Sequence, residues 1–207
     1  MLDKAIVEFD KIIKTLFLKP QSARVHPDAN IIDEPNFSEK ELKHTISLMR
    51  INHCGEICAQ ALYQGQSLTA RNNSHKNKFE ICALEEIDHL AWLNARLEKL
   101  NGKTSILNPL FYITSLMLGI IAGICGDKWS LAFLEETEKQ VEQHLMSHLS
   151  QLANGDTASK LILEHMIIDE RQHALTASSC GAANMPQAIV HLMQVLSKIM
   201  TKTVYYF

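Results

Sequence analysis

The sequence predicts an all-α protein: an antiparallel four-helix bundle with additional N-terminal, apolar and C-terminal helices. Three observations predict it. Apolar residues recur at three-four spacing through long segments, with no sustained strand-type alternation. The 8 Gly and 5 Pro of the 207 residues gather at the ends of those segments. Two Glu-x-x-His pairs, Glu86 with His89 and Glu170 with His173, stand at matching places in the two halves of the chain.

Each helix has its own start and stop signals. Residues 2–18 are amphipathic and end at Pro20, and residues 19–37, with Pro20, Pro27 and Pro35, form a surface connection. Ser38 with Glu41 is a capping box that opens a helix to about residue 71. Asn72-Asn73-Ser74 breaks it, and Ser74 caps the next helix, which runs to Leu100 before Asn101-Gly102. Asn108-Pro109 starts an apolar helix, with Pro at its tolerated first position. Gly126-Asp127 supplies a break and a new cap for a helix to about 153. Asn154-Gly155-Asp156 stops and restarts the chain for a helix ending at Gly181, and Pro186 opens the last, to about 203. Short connections between long helices make antiparallel neighbours. The expected organisation is one domain over 1–207: a helix and linker to 37, a bundle over 38–181 that includes apolar helix 106–125, and a C-terminal helix over 185–207.

Composition narrows the function classes. At 46% hydrophobic the chain can bury a sizeable core. A net charge of −3 and the lack of a basic run argue against a nucleic-acid partner. The 5 cysteines (54, 58, 82, 125 and 180) form no Cys-x-x-Cys, which disfavours zinc ribbons and rubredoxin-type sites. Their odd number without a signal peptide suggests a reducing compartment. Cys54 and Cys58 share a helix face and are expected to pack as small apolar residues. Residues 106–125 carry no charge, so the helix there is either a buried core element or a shallow membrane-contacting one; a true span is the weakest reading.

In a helix, residues three apart share a face, so each Glu-x-x-His pair aims a carboxylate and an imidazole at one point. Two such pairs plus one Glu from each of two more helices complete the six-ligand set of a di-iron or di-manganese bundle. Glu56 stands 30 residues before Glu86, and the other half needs its counterpart among Glu135, Glu136, Glu138 and Glu142. Phase selects Glu138, which falls in the rhythm of Leu131, Leu134, Val141, Leu145 and Leu152, 32 residues before Glu170. By the same test Glu86 and His89 lie with Phe79, Cys82, Leu93 and Leu100. Glu170 and His173 lie with Leu163, Met166, Ala177 and Cys180, and Glu56 lies with Met49, His53 and Tyr63. Buried carboxylates need pairing or a metal, and carboxylates with imidazoles suit iron or manganese better than structural zinc. The candidate metal ligands are therefore Glu56, Glu86, His89, Glu138, Glu170 and His173.

With Arg50-Ile51-Asn52-His53-Cys54-Gly55-Glu56 added to Glu86 through His89, Glu138, and Glu170 through His173, the sequence resembles the demethoxyubiquinone hydroxylases of ubiquinone biosynthesis. The resemblance covers roughly residues 40 to 207, and its specific part is the Arg-x-x-His-x-Gly-Glu element. It implies a ferritin-like di-iron monooxygenase holding two iron ions on the six ligands above, with Glu86 and Glu138 as the bridging pair. It implies ring hydroxylation of a polyprenylated methoxy-methyl-benzoquinol with dioxygen and two electrons. A substrate with an isoprenoid tail favours membrane contact by helix 106–125 and by Val204-Tyr205-Tyr206-Phe207. For a bacterial protein that means a peripheral position on the cytoplasmic face of the cell membrane. After Glu138 the sequence departs from the family's second acid and paired histidines, leaving His144 as the one match.

Around the cage, Glu85 and Asp169 are candidates to accept hydrogen bonds from the ligand histidine of the opposite half. Tyr63 is a candidate to face the site and assist proton or electron transfer. His53 reads as a core histidine rather than a ligand. No dinucleotide or flavin fingerprint identifies the electron donor, and a homo-oligomer or other ubiquinone-biosynthesis proteins remain open as partners. The competing readings are a ferritin-type iron-storage or ferroxidase protein, a di-manganese catalase, and a plain structural bundle.

Overall fold

The computed structural model describes residues 2–31 and 35–207; residues 32–34 of the predicted linker lie outside the described residues. Seven helices and no strand are found among the described residues: α1 (Leu2–Phe17), α2 (Glu39–Thr69), α3 (Asn73–Lys99), α4 (Asn108–Ile124), α5 (Asp127–Leu149), α6 (Thr157–Ser179) and α7 (Gln187–Val204).

The ends follow local chemistry. Ser38 and Glu41 form the capping box reciprocally, a device worth about 1 kcal/mol. At α3 the cap is Asn72, whose side chain accepts from Ser74 N at 2.8 Å, rather than Ser74 itself. Asp127 does not cap α5: Gly126 holds that place at φ +108°, a backbone that glycine tolerates, with no side-chain cap bond. Asp127 instead accepts from Arg71 N and Asn72 N at 3.0 and 2.9 Å and so ties the α2–α3 turn to the start of α5. α5 ends at Leu149, short of the expected 153, because the chain turns through Ser150 to Ser147 and Met146 before the Asp156 cap of α6.

Contacts along the helices fix their directions. Gln66, Tyr63 and Asn52 of α2 meet Ser130, Glu138 and His148 of α5, so these two run antiparallel. Arg96, His89 and Glu85 of α3 meet Asp156, Asp169 and His173 of α6 in the same opposed sense. With the short α2–α3 and α5–α6 connections, this is an antiparallel four-helix bundle of α2, α3, α5 and α6. Its interior is layered. Leu48, Met49, Trp92, Leu93, Leu97, Leu145, Leu163 and Met166 fill one end, and Ala59, Phe79, Leu131, Leu134 and Ala177 fill the other. Each large side chain buried there stabilises the fold by about 1.5–3 kcal/mol. The buried acids lie between these two layers.

The apolar helix α4 runs beside α2 on a seam of glycines. A methyl on Gly65 would lie 2.5 Å from Leu116 O and 2.7 Å from Ile120 N, and one on Gly119 would strike the Leu62 backbone. The helices thus touch backbone to backbone, and α4 offers its bulk outward. Leu110, Ile113, Met117, Ile121 and Ile124, spaced at threes and fours, are all more than half exposed. A buried core helix is therefore not what 106–125 forms. Nor does any helix among the described residues have the length and apolarity to cross a membrane. Helix α1 packs Ile12 and Leu16 beside α4's Tyr112 and Leu116, and Phe207 O accepts from Ile106 N at 3.1 Å. Cys54 and Cys58 sit in an apolar cluster with Ile51, Phe111 and Val204, as expected of small apolar residues.

Candidate metal centre

Four helices each bring one carboxylate to the middle of the bundle: Glu56 from α2, Glu86 from α3, Glu138 from α5 and Glu170 from α6. None is more than 3% exposed, and His89 and His173 are equally buried. The Glu-x-x-His spacing works as helical geometry requires, since Glu86 Oε2 lies 2.8 Å from His89 Nδ1 one turn on.

The six fall into two overlapping groups whose donor atoms converge within 4.8 Å: Glu56, Glu86, His89 and Glu170; and Glu86, Glu138, Glu170 and His173. Glu86 and Glu170 belong to both. Glu86 turns Oε2 to His89 and Oε1 to His173, at 2.8 and 3.2 Å, while Glu170 turns Oε1 to His89 and Oε2 to His173, at 3.3 and 3.4 Å. The pair common to both halves is thus Glu86 and Glu170, not Glu86 and Glu138. These two occupy equivalent places in the repeated motif, whereas Glu138 is the counterpart of Glu56, and each of those belongs to one group alone. The competing acids are engaged elsewhere: Glu135 with Lys139, Glu136 with Gln140, and Glu142 with Arg171.

Both imidazoles are held from behind. His89 donates through Nε2 to Asp169 at 2.9 Å, and His173 donates through Nε2 to Glu85 at 2.5 Å, each across to the opposite half as the motif positions suggested. A proton kept on Nε2 leaves the Nδ1 lone pair of the neutral ring facing the cage, the tautomer that binds metal. Tyr63, buried, donates its hydroxyl to Glu138 Oε1.

Without an ion the centre is electrostatically frustrated. Burial, then repulsion from Glu86 and Glu170, raises Glu56 well above the carboxylate range, and burial with the same two neighbours raises Glu138. Burial also opposes ionisation of Glu86, but His89 and His173 outweigh it and hold Glu86 well below that range. Both imidazoles are pushed up in return, burial notwithstanding, by the acids around them. Among the described residues, Glu86 Oε1, Glu170 Oε2 and His173 Nδ1 make no well-formed hydrogen bond, and the two oxygens face that nitrogen at 3.2 and 3.4 Å. Buried polar groups left in that state are costly. Two divalent cations would take these lone pairs and balance four carboxylates with two neutral rings. The donor set therefore fits such ions, and its oxygen-rich character fits iron or manganese.

Sequence reasoning missed part of the surroundings. Arg24, from the proline-rich linker, reaches Asp169 and Asp88; only contacts 145 and 64 residues apart in sequence reveal it. His148 and Asn52, joined at 2.8 Å, and half-buried His144, its ring tilted 60° to His148 with centroids 3.9 Å apart, form a second polar cluster. His53 is buried in the core as read, with its Nδ1 unpartnered.

Known proteins resemble this chain along its sequence. The family described as ubiquinone biosynthesis protein COQ7 matches residues 43–204. A 3-demethoxyubiquinol 3-hydroxylase from Laribacter hongkongensis is 50% identical over 206 residues, covering 100% of both chains. Proteins of the same name from Chromobacterium violaceum and Dechloromonas aromatica are 50% and 47% identical over 205 residues, 99% of each chain. Matched through the whole bundle and half identical to such relatives from end to end, this chain belongs to the COQ7 family of ubiquinone biosynthesis proteins.

Proposed function

We propose that the protein is a 3-demethoxyubiquinol 3-hydroxylase that holds two iron ions on Glu56, Glu86, His89, Glu138, Glu170 and His173. The observation that carries the reading is the pair of buried donor groups sharing Glu86 and Glu170, in a chain of this family. The balanced reaction is insertion of one oxygen atom of dioxygen into a ring C–H bond of the quinol, the other leaving as water, with two electrons and two protons supplied. A bound iron pair supplies the reduction of dioxygen. The chain's own residues position the site. Glu86 and Glu170 present one oxygen to each half, and Glu56 and Glu138 close the two ends. Asp169 and Glu85 keep Nδ1 of each histidine free for the cage. Tyr63 stays protonated, because burial and then Glu138 and Glu86 raise its phenol, and so holds a proton at Glu138 Oε1.

The polyprenyl tail calls for a bilayer, and the outward residues of α1 (Leu2, Ile6, Phe9), α4 and α7 (Leu192, Ile199), with Tyr206 and Phe207, furnish an exposed apolar surface. Amphipathic helices of this kind lie in the interface rather than span it. The protein is then peripheral to the membrane, on the cytoplasmic face in a bacterium, and takes electrons from an external donor.

Three experiments test the reading. Protein loaded with ferrous iron and given a chemical reductant should convert a short-tailed demethoxyubiquinol to a product heavier by one oxygen, and cells lacking the protein should accumulate the one-methoxy precursor. Absence of both results overturns it. The wild type should sediment with phosphatidylglycerol/phosphatidylethanolamine vesicles, while the double substitution Ile113→Glu, Met117→Glu stays in solution; equal sedimentation removes α4 from the docking face.

A further inference from the structure

The ligand sets of the two ion positions match, but what stands behind them does not. At the His173 half, Glu85 is 45% exposed and, among the described residues, has no cationic partner except His173. At the His89 half the linker folds over α3 as a strap. Asp88 Oδ1 accepts from Ser22 Oγ and Ala23 N at 2.9 and 2.7 Å, and Trp92 Nε1 donates to Ser22 Oγ at 3.1 Å. The strap delivers Arg24, whose guanidinium lies 4.6 Å from the Trp92 ring centroid. Its Nε donates to Asp88 Oδ2 at 2.6 Å and its Nη1 to Asp169 Oδ2 at 2.7 Å, the same oxygen that accepts from His89 Nε2 at 2.9 Å.

An arginine fork with both prongs occupied has little freedom left, and a carboxylate pinned by it cannot swing away from the imidazole it orients. Glu85 has no such restraint and more water around it. Partners behind a metal-binding histidine typically contribute 10–100-fold to affinity. We infer that Arg24 is a positioning residue for the His89 half of the cage: by holding Asp169 against His89 Nε2 it makes that ion position the tighter of two otherwise matching ones. The inference rests on the two-ion reading of the site.

Titration of the metal-free full-length protein with Co²⁺, followed by visible absorption and calorimetry, tests it. The wild type should bind two ions in two resolvable phases. Arg24→Ala should weaken the tighter phase about tenfold or more and leave the weaker unchanged. Glu85→Ala should weaken only the other phase, and the double variant should weaken both, which assigns the two residues to different ions. Ser22→Ala, which removes two of the strap's side-chain bonds but leaves Ala23 N and both Arg24 contacts in place, should shift the tighter phase less than Arg24→Ala does and leave the weaker unchanged. Should Arg24→Ala prove too unstable to isolate, Arg24→Lys decides, since it keeps the charge, loses the fork, and should shift the same phase in the same direction. Unchanged phases in the Arg24 variant, equal weakening of both, or an identical effect from Ser22→Ala overturns the inference alone. A wild type that binds fewer than two ions overturns the two-ion reading and this inference together.

Discussion

Five histidines in or near the bundle core, four of them buried and His144 half-buried, divide into two sets. His89 and His173 each have a carboxylate behind one ring nitrogen and carboxylates before the other, and both are driven above the ordinary histidine range. Among the described residues His53, His144 and His148 have no carboxylate partner; burial pushes the first two down to about 4, and burial with His144 and His44 nearby takes His148 to about 3. Burial acts on all five in the same direction, so partners decide the sign. The carboxylate-backed set is built for a cation, either a proton or a metal. The other set is neutral and takes part in packing and hydrogen bonding.

The contrast can be broken most severely at a shared acid. Glu170→Gln replaces one of the two shared oxygens with an amide nitrogen and removes the negative charge that both halves use. Bound metal measured by elemental analysis should fall from two ions per chain toward none, and ring hydroxylation should fall to background. The metal-free protein should lose no stability by thermal unfolding, because the change relieves repulsion at the centre. Retention of two ions would show that the shared pair has been misassigned. Next in size, Glu138→Ala should cost the ion of the His173 half and most of the activity, with one ion retained at the other.

A smaller effect sharpens the contrast from the neutral set. His148 is depressed in the folded state, so the unfolded chain takes up the proton first, and stability is full above about pH 6.5 and lost as pH falls toward about 3. In metal-free protein the stability of His148→Gln relative to wild type should therefore improve by about 2 kcal/mol between pH 6.5 and 5, at about 1.4 kcal/mol per pH unit. A difference that does not change with pH would mean that the buried ring is not held neutral. Smallest of all, Glu142→Ala removes an ion pair with Arg171, itself 57% exposed at the side chain, and should alter stability by less than about 1 kcal/mol and metal content not at all.

How legible all this was depended on the range of the interaction concerned. Helical phase is a local property, and it separated Glu138 from three neighbouring acids and aligned all six cage residues with apolar stripes that are buried in the structure. Glu85 and Asp169 could be proposed because they adjoin the ligands in sequence. The shared pair differs from the one the family resemblance implies, and the internal repeat accounts for it by equating Glu86 with Glu170. Arg24 carried no local signal, since its place follows from the path of a proline-rich segment across two helices. The setting of α4 was hidden for a related reason. Hydropathy reports that a helix avoids water or charge, but not which of its faces meets protein, and here glycines rather than bulky residues make the seam.

That seam sets the thickness of a wall. With Gly65 and Gly119 letting the backbones of α2 and α4 touch, only about one helix diameter, roughly 10 Å, separates the outward row Ile113, Met117 and Ile121 from the helix that bears Glu56 and Tyr63. On the proposed reading, a quinol whose tail stays in the bilayer would have one helix's breadth to cross to reach the cage. Widening the wall with side chains at the seam would lengthen that journey without altering a single ligand.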